Sequence, residues 1–155
     1  MEATATRDEE KAARERLVFR AFLDKSGLLI DAATVESRPP PEPDIYCVHR
    51  DDGPAVFELV ELRDSDLAKL TSRLTKSGGG VAGLWTSDPT PDIFRSKLGK
   101  TYQAGVPVDL LVYTDGALVT PDDVILPNLE RLIDAHGRGP FRRIFLMGEK
   151  ICREV

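Results

Sequence analysis

Ala55 to Leu62 reads Ala-Val-Phe-Glu-Leu-Val-Glu-Leu, apolar at both odd and even positions, and a run of that kind fits a strand covered on both faces. Such a strand belongs inside a sheet with packing above and below it. Glu58 and Glu61 interrupt the run. A carboxylate in those surroundings is costly unless a cation or hydrogen bonds compensate it. Pro43-Asp44 lies just upstream, across a turn supplied by Asp51, Asp52 and Gly53. Function is therefore expected around this hairpin.

The remaining punctuation sets the element order. Asp8 to about Lys25 carries Leu17, Val18, Ala21 and Phe22 at helical spacing with charges on the other side, and Gly27 ends it. Leu28 to about Val35 reads as a strand, Arg38 to Pro43 as a proline-rich connection, and Ile45 to His49 as a second strand, so that with Ala55 to Leu62 they predict an antiparallel meander. Asp64 or Ser65 caps a helix with the stripe Leu67, Leu70 and Leu74, closed by Gly78 to Gly80 and followed by a strand from Val81 to Thr86. Thr90-Pro91 opens a helix through Phe94 and Leu98, and Val108 to Thr114 is the next strand. Thr120 to Asp123 cap a helix with Ile125, Leu126, Leu129 and Ile133 inward, Gly137 closes it, and Phe141 to Met147 is a last strand. A meander followed by alternating helices and strands predicts an α/β fold, a mixed central sheet with helices on both faces.

At 155 residues the chain fits one domain, with residues 1–7 expected as a flexible terminus. Its net charge of −5 supplies no global basic field for nucleic acid. The distribution is uneven: residues 1–68 hold 16 acidic against 9 basic side chains, whereas 69–100 hold 6 basic against 2 acidic. Two cysteines without zinc-type spacing, no apolar run long enough to span a membrane and no signal-like start lead to the expectation of a cytoplasmic protein with no membrane partner.

On a regular strand Glu58 and Glu61 face opposite sides, so one joins Asp44 in a cation site and the other pairs locally, with Arg63 the obvious partner of Glu61. Glu58 is the expected ligand beside Asp44, with Glu61 and Glu36 as further candidates. Carboxylate oxygens suit Mg²⁺ or Mn²⁺, ions that serve phosphodiester hydrolysis.

Pro43-Asp44 before one strand and Glu58 within Phe57-Glu58-Leu59-Val60 on the next resemble the motif of the restriction-endonuclease-like superfamily, the PD-(D/E)xK nucleases. The leading amphipathic helix and the Leu67 to Leu74 helix also sit where that fold has them, and the likeness covers roughly residues 8–114. The resemblance implies a restriction-endonuclease-like fold, a divalent metal held by Asp44 and Glu58, a nucleic-acid substrate (DNA ahead of RNA) and a homodimer. Where the family has its catalytic lysine, two residues after Glu58, this chain has Val60. Arg63, in the alternative triplet Glu61-Leu62-Arg63, keeps its proton and cannot act as a base, but it can bind phosphate. Lys97 and Lys100, in the basic segment before Tyr102, are the candidates for a lysine displaced onto a helix. The competing reading is a nuclease-like domain without activity, whose acidic first half binds a basic protein.

Other features are discounted. Pro91-Asp92 and Pro121-Asp122 follow threonines and read as helix caps. Gly78, Gly80 and Gly83 match a dinucleotide-binding spacing but sit between a helix and a strand, the reverse of the required order. His49 and His136 are lone and expected to be structural, and Trp85 is expected in the core.

Overall fold

A computed structural model of the protein describes residues 2–63, 90–102, 105–115 and 121–155. Numbered among these, the elements are α1 (Glu2–Ser26), a 3-10 turn (Ala32–Thr34), β1 (Glu36–Ser37), β2 (Ile45–His49), β3 (Gly53–Glu61), α2 (Thr90–Leu98), β4 (Val108–Tyr113), α3 (Asp122–His136), β5 (Ile144–Met147) and β6 (Cys152–Glu154). The strands form one six-stranded sheet in sequence order. β1, β2 and β3 are an antiparallel meander, β3, β4 and β5 run parallel, and β6 folds back antiparallel on β5. This is a mixed α/β sheet. Its parallel steps require crossovers, which contain α2 and α3.

The doubly apolar pattern of β3 has its explanation in two cores. Val56 and Val60 face α2 and α3, packing with Leu110, Val112, Ile144 and Leu146 against Phe94, Ile125, Leu129 and Leu132. Phe57 and Leu59 face the other way, joining Leu111, Tyr113, Phe145 and Met147 under Phe19 and Phe22 of α1. The rings interlock, with Phe19 and Phe57 centroids 4.9 Å apart and Phe22 and Phe145 at 5.2 Å. Helices thus cover both faces. Each parallel strand supplies alternate side chains to each core.

Several expectations change. Leu28 to Val35 makes no strand beyond a single bridge between Ile30 and His49. Asp31 instead caps the 3-10 turn by accepting from the Ala33 N–H, and contact with β2 is limited to two backbone bonds, Asp31 N–H to Val48 O and Arg50 N–H to Leu29 O, and one from the Val48 N–H to the Thr34 hydroxyl. The first strand of the meander is the short β1. Among the described side chains of α1 the buried ones are Phe19 and Phe22, while Leu17 is 66% exposed. A sixth strand, β6, occupies what reads in sequence as a tail. The expected helix at Leu67 to Leu74, the strand at Val81 to Thr86, Gly78 to Gly83 and Trp85 lie outside the described residues.

Asp122 is not the expected cap. Its buried carboxylate makes no capping bond and instead accepts from the backbone N–H groups of Glu149, Lys150 and Ile151 at 3.0, 2.7 and 3.0 Å. It ties the start of α3 to the β5–β6 turn. A Cβ at Gly148 would collide with that carboxylate. A second buried acid, Asp109, accepts from the guanidinium of Arg142 at 3.1 and 2.8 Å, from the Arg143 backbone N–H at 3.1 Å and from its guanidinium at 3.2 Å. His49 stands beside it, its Nε2 3.2 Å from Arg143 Nη2, and burial lowers its pKa. His49, Asp109, Arg142 and Arg143 thus form a charge cluster at the edge of the α1-side core.

Candidate functional site

The hairpin register brings the acids together. His49 pairs with Gly53 and Ile45 with Phe57, so continuing one step beyond β2 sets Asp44 across from Glu58. Directly opposed residues of an antiparallel pair share a face. Asp44 Oδ2 accepts from the Leu59 N–H at 2.9 Å, which fixes the carboxylate against β3.

Glu58 points to the face covered by α2 and is met there by Lys97, whose Nζ lies 2.8 Å from Oε1 although 39 residues separate them in sequence. Phe94 sits three positions before Lys97 on α2, and its full burial aims that helical face at the sheet. The pair is enclosed, with side chains 17% and 10% exposed for Lys97 and Glu58. Glu61 faces the other side of the sheet, where it pairs with Arg14 of α1 at 3.1 Å and with Arg63 at 2.9 Å. Arg14 continues to Asp115 at 2.9 Å.

Asp44, Glu58, Glu61, Arg63 and Lys97 all line one cleft of about 370 Å³ where β2 begins and β3 ends, roofed by α1 through Arg7, Asp8, Lys11, Arg14 and Glu15. Burial first, then the charge of Glu58, push the Asp44 carboxyl up to about 6, against the pull of the Leu59 N–H. Lys100 does not line the cleft, but it senses Glu58 and Asp44, and the neighbouring positive charge of Lys97 holds its pKa below the ordinary lysine value. Tyr102 packs against Phe141, and its hydroxyl is buried within the influence of Glu58. Burial, and next Glu58, raise its pKa well above the usual phenol value. Glu36 lies apart, 62% exposed and 3.7 Å from Arg38.

Sequence reasoning passed over the roof. Glu15 sits one and two turns before Phe19 and Phe22, on the stripe of α1 that faces the sheet, and its charge helps raise Asp44. The stripe is apolar over the sheet and charged where α1 overhangs the cleft. A helical projection carried back from Phe22 through Phe19 to Glu15 and Lys11 contains that signal.

Among the described residues no group of three or more His, Cys, Asp or Glu side chains is gathered closely enough to hold a metal ion. The chemistry of Asp44 and Glu58 nevertheless fits a hard divalent cation. Both offer oxygens, and Asp44 carries a carboxyl whose ionised form is opposed by the acid across from it, a repulsion that a cation between the two would relieve. The chain matches no protein-family model, no curated protein and no solved structure. Among the described residues no helix is long and apolar enough to cross a membrane.

Proposed function

We propose that this chain is a divalent-metal-dependent nuclease of the PD-(D/E)xK type, with Asp44 and Glu58 as the residues that hold Mg²⁺ or Mn²⁺. The observation that carries the reading is the meeting of Asp44, Glu58 and Lys97 in one cleft. Lys97, 2.8 Å from Glu58, takes the place left by Val60, so a lysine is present at the acid although the strand does not supply it. Further support comes from the order of elements: a leading helix, an antiparallel meander carrying both acids, and a helical crossover to a parallel strand resemble the restriction-endonuclease-like arrangement.

When bound, the metal would lower the pKa of the attacking water and neutralise charge on the phosphate. The residues of the chain have separate tasks. Asp44 must be ionised to bind, so its raised carboxyl makes binding fall off below about pH 6. Lys97, paired with Glu58, would donate to a non-bridging phosphate oxygen, while Asp44 and Glu58 would hold the ion. Lys100 adds positive charge behind it. Arg63 is the phosphate contact at the mouth, and Glu61 anchors it together with Arg14.

The test is a Mg²⁺ and Mn²⁺ titration of cleavage on single-stranded, duplex and branched DNA and on RNA, with Glu58→Ala and Lys97→Met alongside. Metal-dependent cleavage lost in both variants is expected. Cleavage that persists in Glu58→Ala removes this site from the chemistry. The second reading, a nuclease-like domain that binds a basic protein partner, draws on Val60 at the lysine position and on the acidic first half of the chain. It is favoured if neither metal supports cleavage of any substrate and no divalent ion raises thermal stability.

A further inference from the structure

The roof of the cleft bears on which substrates can enter it. Arg7, Lys11 and Arg14 stand at i, i+4 and i+7 on α1, all exposed and all lining the cleft that holds Asp44, Glu58 and Lys97. At a rise of about 1.5 Å per residue they span about 10 Å along the helix axis. We infer that this cleft takes one unpaired nucleic-acid strand, DNA or RNA, whose phosphates are held by Arg7, Lys11 and Arg14 of α1, and that it excludes the duplex. The inference rests on the hydrolase reading of the same cleft and adds the form of the substrate.

Three observations carry it. Depth is the first: Glu58 and Lys97 are recessed, with side chains 10% and 17% exposed, beneath a helix on one side and the end of β3 on the other. A flexible strand can dip to that floor, whereas a phosphate on a stiff duplex cannot leave its helical path. Size is the second. The cleft encloses about 370 Å³, room for roughly one nucleotide unit, while the major groove of a duplex is by itself about 12 Å wide.

Charge is the third. Five carboxylates line the cleft (Asp8, Glu15, Asp44, Glu58 and Glu61) beside five cations. The lining thus has no excess of positive charge, and a phosphate must be held by individual cations rather than by the broad basic field that a duplex needs. The roof cations are also free to exchange partners. Arg7 has no ion pair among the described residues, Lys11 is 65% exposed in its pair with Glu15, and Arg14 bridges the recessed Glu61 and the exposed Asp115, so it keeps Glu61 and turns only from Asp115, an exposed pair that contributes little. A phosphate can replace Glu15 and Asp115 at small cost. With contacts to the backbone alone, binding is independent of sequence and tolerant of the 2′-hydroxyl.

The test is fluorescence anisotropy with the full chain and Ca²⁺ in place of Mg²⁺, using a labelled DNA strand, the same strand as a blunt duplex, and its RNA counterpart, over a range of salt. The single strands are expected to bind at least about tenfold tighter than the duplex. In Arg7→Gln and Lys11→Gln the slope of log K against log salt should flatten by about 0.7 per lost contact. These sites are exposed, so the variants should unfold at the wild-type midpoint, which checks that folding is intact. Duplex binding as tight as the single strand, or variants with unchanged affinity and slope, would overturn the inference. Cleavage assayed in parallel separates the two ideas. A duplex cut as fast as a single strand, with the activity lost in Glu58→Ala, sinks the strand inference and leaves the hydrolase standing. Single-strand preference that depends on Arg7 and Lys11, without cleavage in any metal, does the reverse. A preference confined to DNA or to RNA identifies the natural polymer within the inference, and no binding to any of the three overturns it.

Discussion

Replacing Asp44 by asparagine should make the protein more stable while disabling it. The folded structure holds this carboxyl at about 6, against an ordinary 3.8, because burial and Glu58 both oppose its charge. A difference of that size corresponds to about 3 kcal/mol, and solvent screening at a partly exposed group brings the expected figure to about 2 kcal/mol. The sign follows from proton binding. Between pH 3.8 and about 6 the folded state holds the proton more tightly than the unfolded chain, so the penalty is absent below that window, grows through it and is complete above it. The asparagine side chain keeps an oxygen for the Leu59 N–H and removes the charge. At pH 7.5 Asp44→Asn should therefore unfold at about 4–8 °C above wild type, a gap that closes near pH 4. Mg²⁺ should narrow it at pH 7.5 by stabilising only the wild type. Thermal and urea unfolding at both pH values, with and without Mg²⁺, measure this. Equal midpoints at pH 7.5, or a gap of the same size at pH 4, would refute the electrostatic reasoning.

Other perturbations act elsewhere in the molecule. Lys97→Met should lower cleavage by at least about a hundredfold yet enlarge the stabilisation by Mg²⁺, because Glu58 loses its competing cation; activity assays and melting curves read the two effects separately. Asp109→Ala strands Arg142 and Arg143 against a buried site and should cost about 3 kcal/mol in urea unfolding. Gly148→Ala drives the Asp122 carboxylate off its three N–H donors and should cost about 2–3 kcal/mol, a loss that Asp122→Asn in the same background would not deepen. His49, whose pKa burial lowers, resists protonation when folded, so its contribution is intact above the unfolded value near 6.5 and is lost as pH falls below it. In the Asp44→Asn background stability should thus drop from pH 7 toward pH 5, and His49→Gln should flatten that slope.

What could be read from the chain divides along physical lines. Strands β2, β3 and β4, and helices α2 and α3, announce themselves because local periodicity and tertiary burial agree: Val56 and Val60 serve one core, Phe57 and Leu59 the other. Leu28 to Val35 has strand-like composition, but Asp31 caps a 3-10 turn there and Thr34 offers β2 its hydroxyl in place of a backbone carbonyl, and composition does not reveal such bonds. The site was legible where the hairpin dictates it, since the short turn forces Asp44 opposite Glu58. Lys97 could be named as a candidate but not placed, because its approach depends on how α2 packs through Phe94. The roof of the cleft was missed because a charged helix segment reads as solvated unless its angular position is followed from the buried phenylalanines.

The β2–β3 turn is also a measuring device. Five residue pairs, from His49 with Gly53 to Ile45 with Phe57, separate the turn from Asp44, a run of about 17 Å. Lengthening or shortening the turn at Arg50 to Asp52 by one residue would leave every side chain of the cleft in the sequence, but would pair Asp44 with a residue on the opposite face of β3. The spacing of the two acids is thus encoded at the far end of the hairpin. An insertion remote from the cleft would therefore undo the proposed metal site, and a survey of sequences for intact acids alone would not notice.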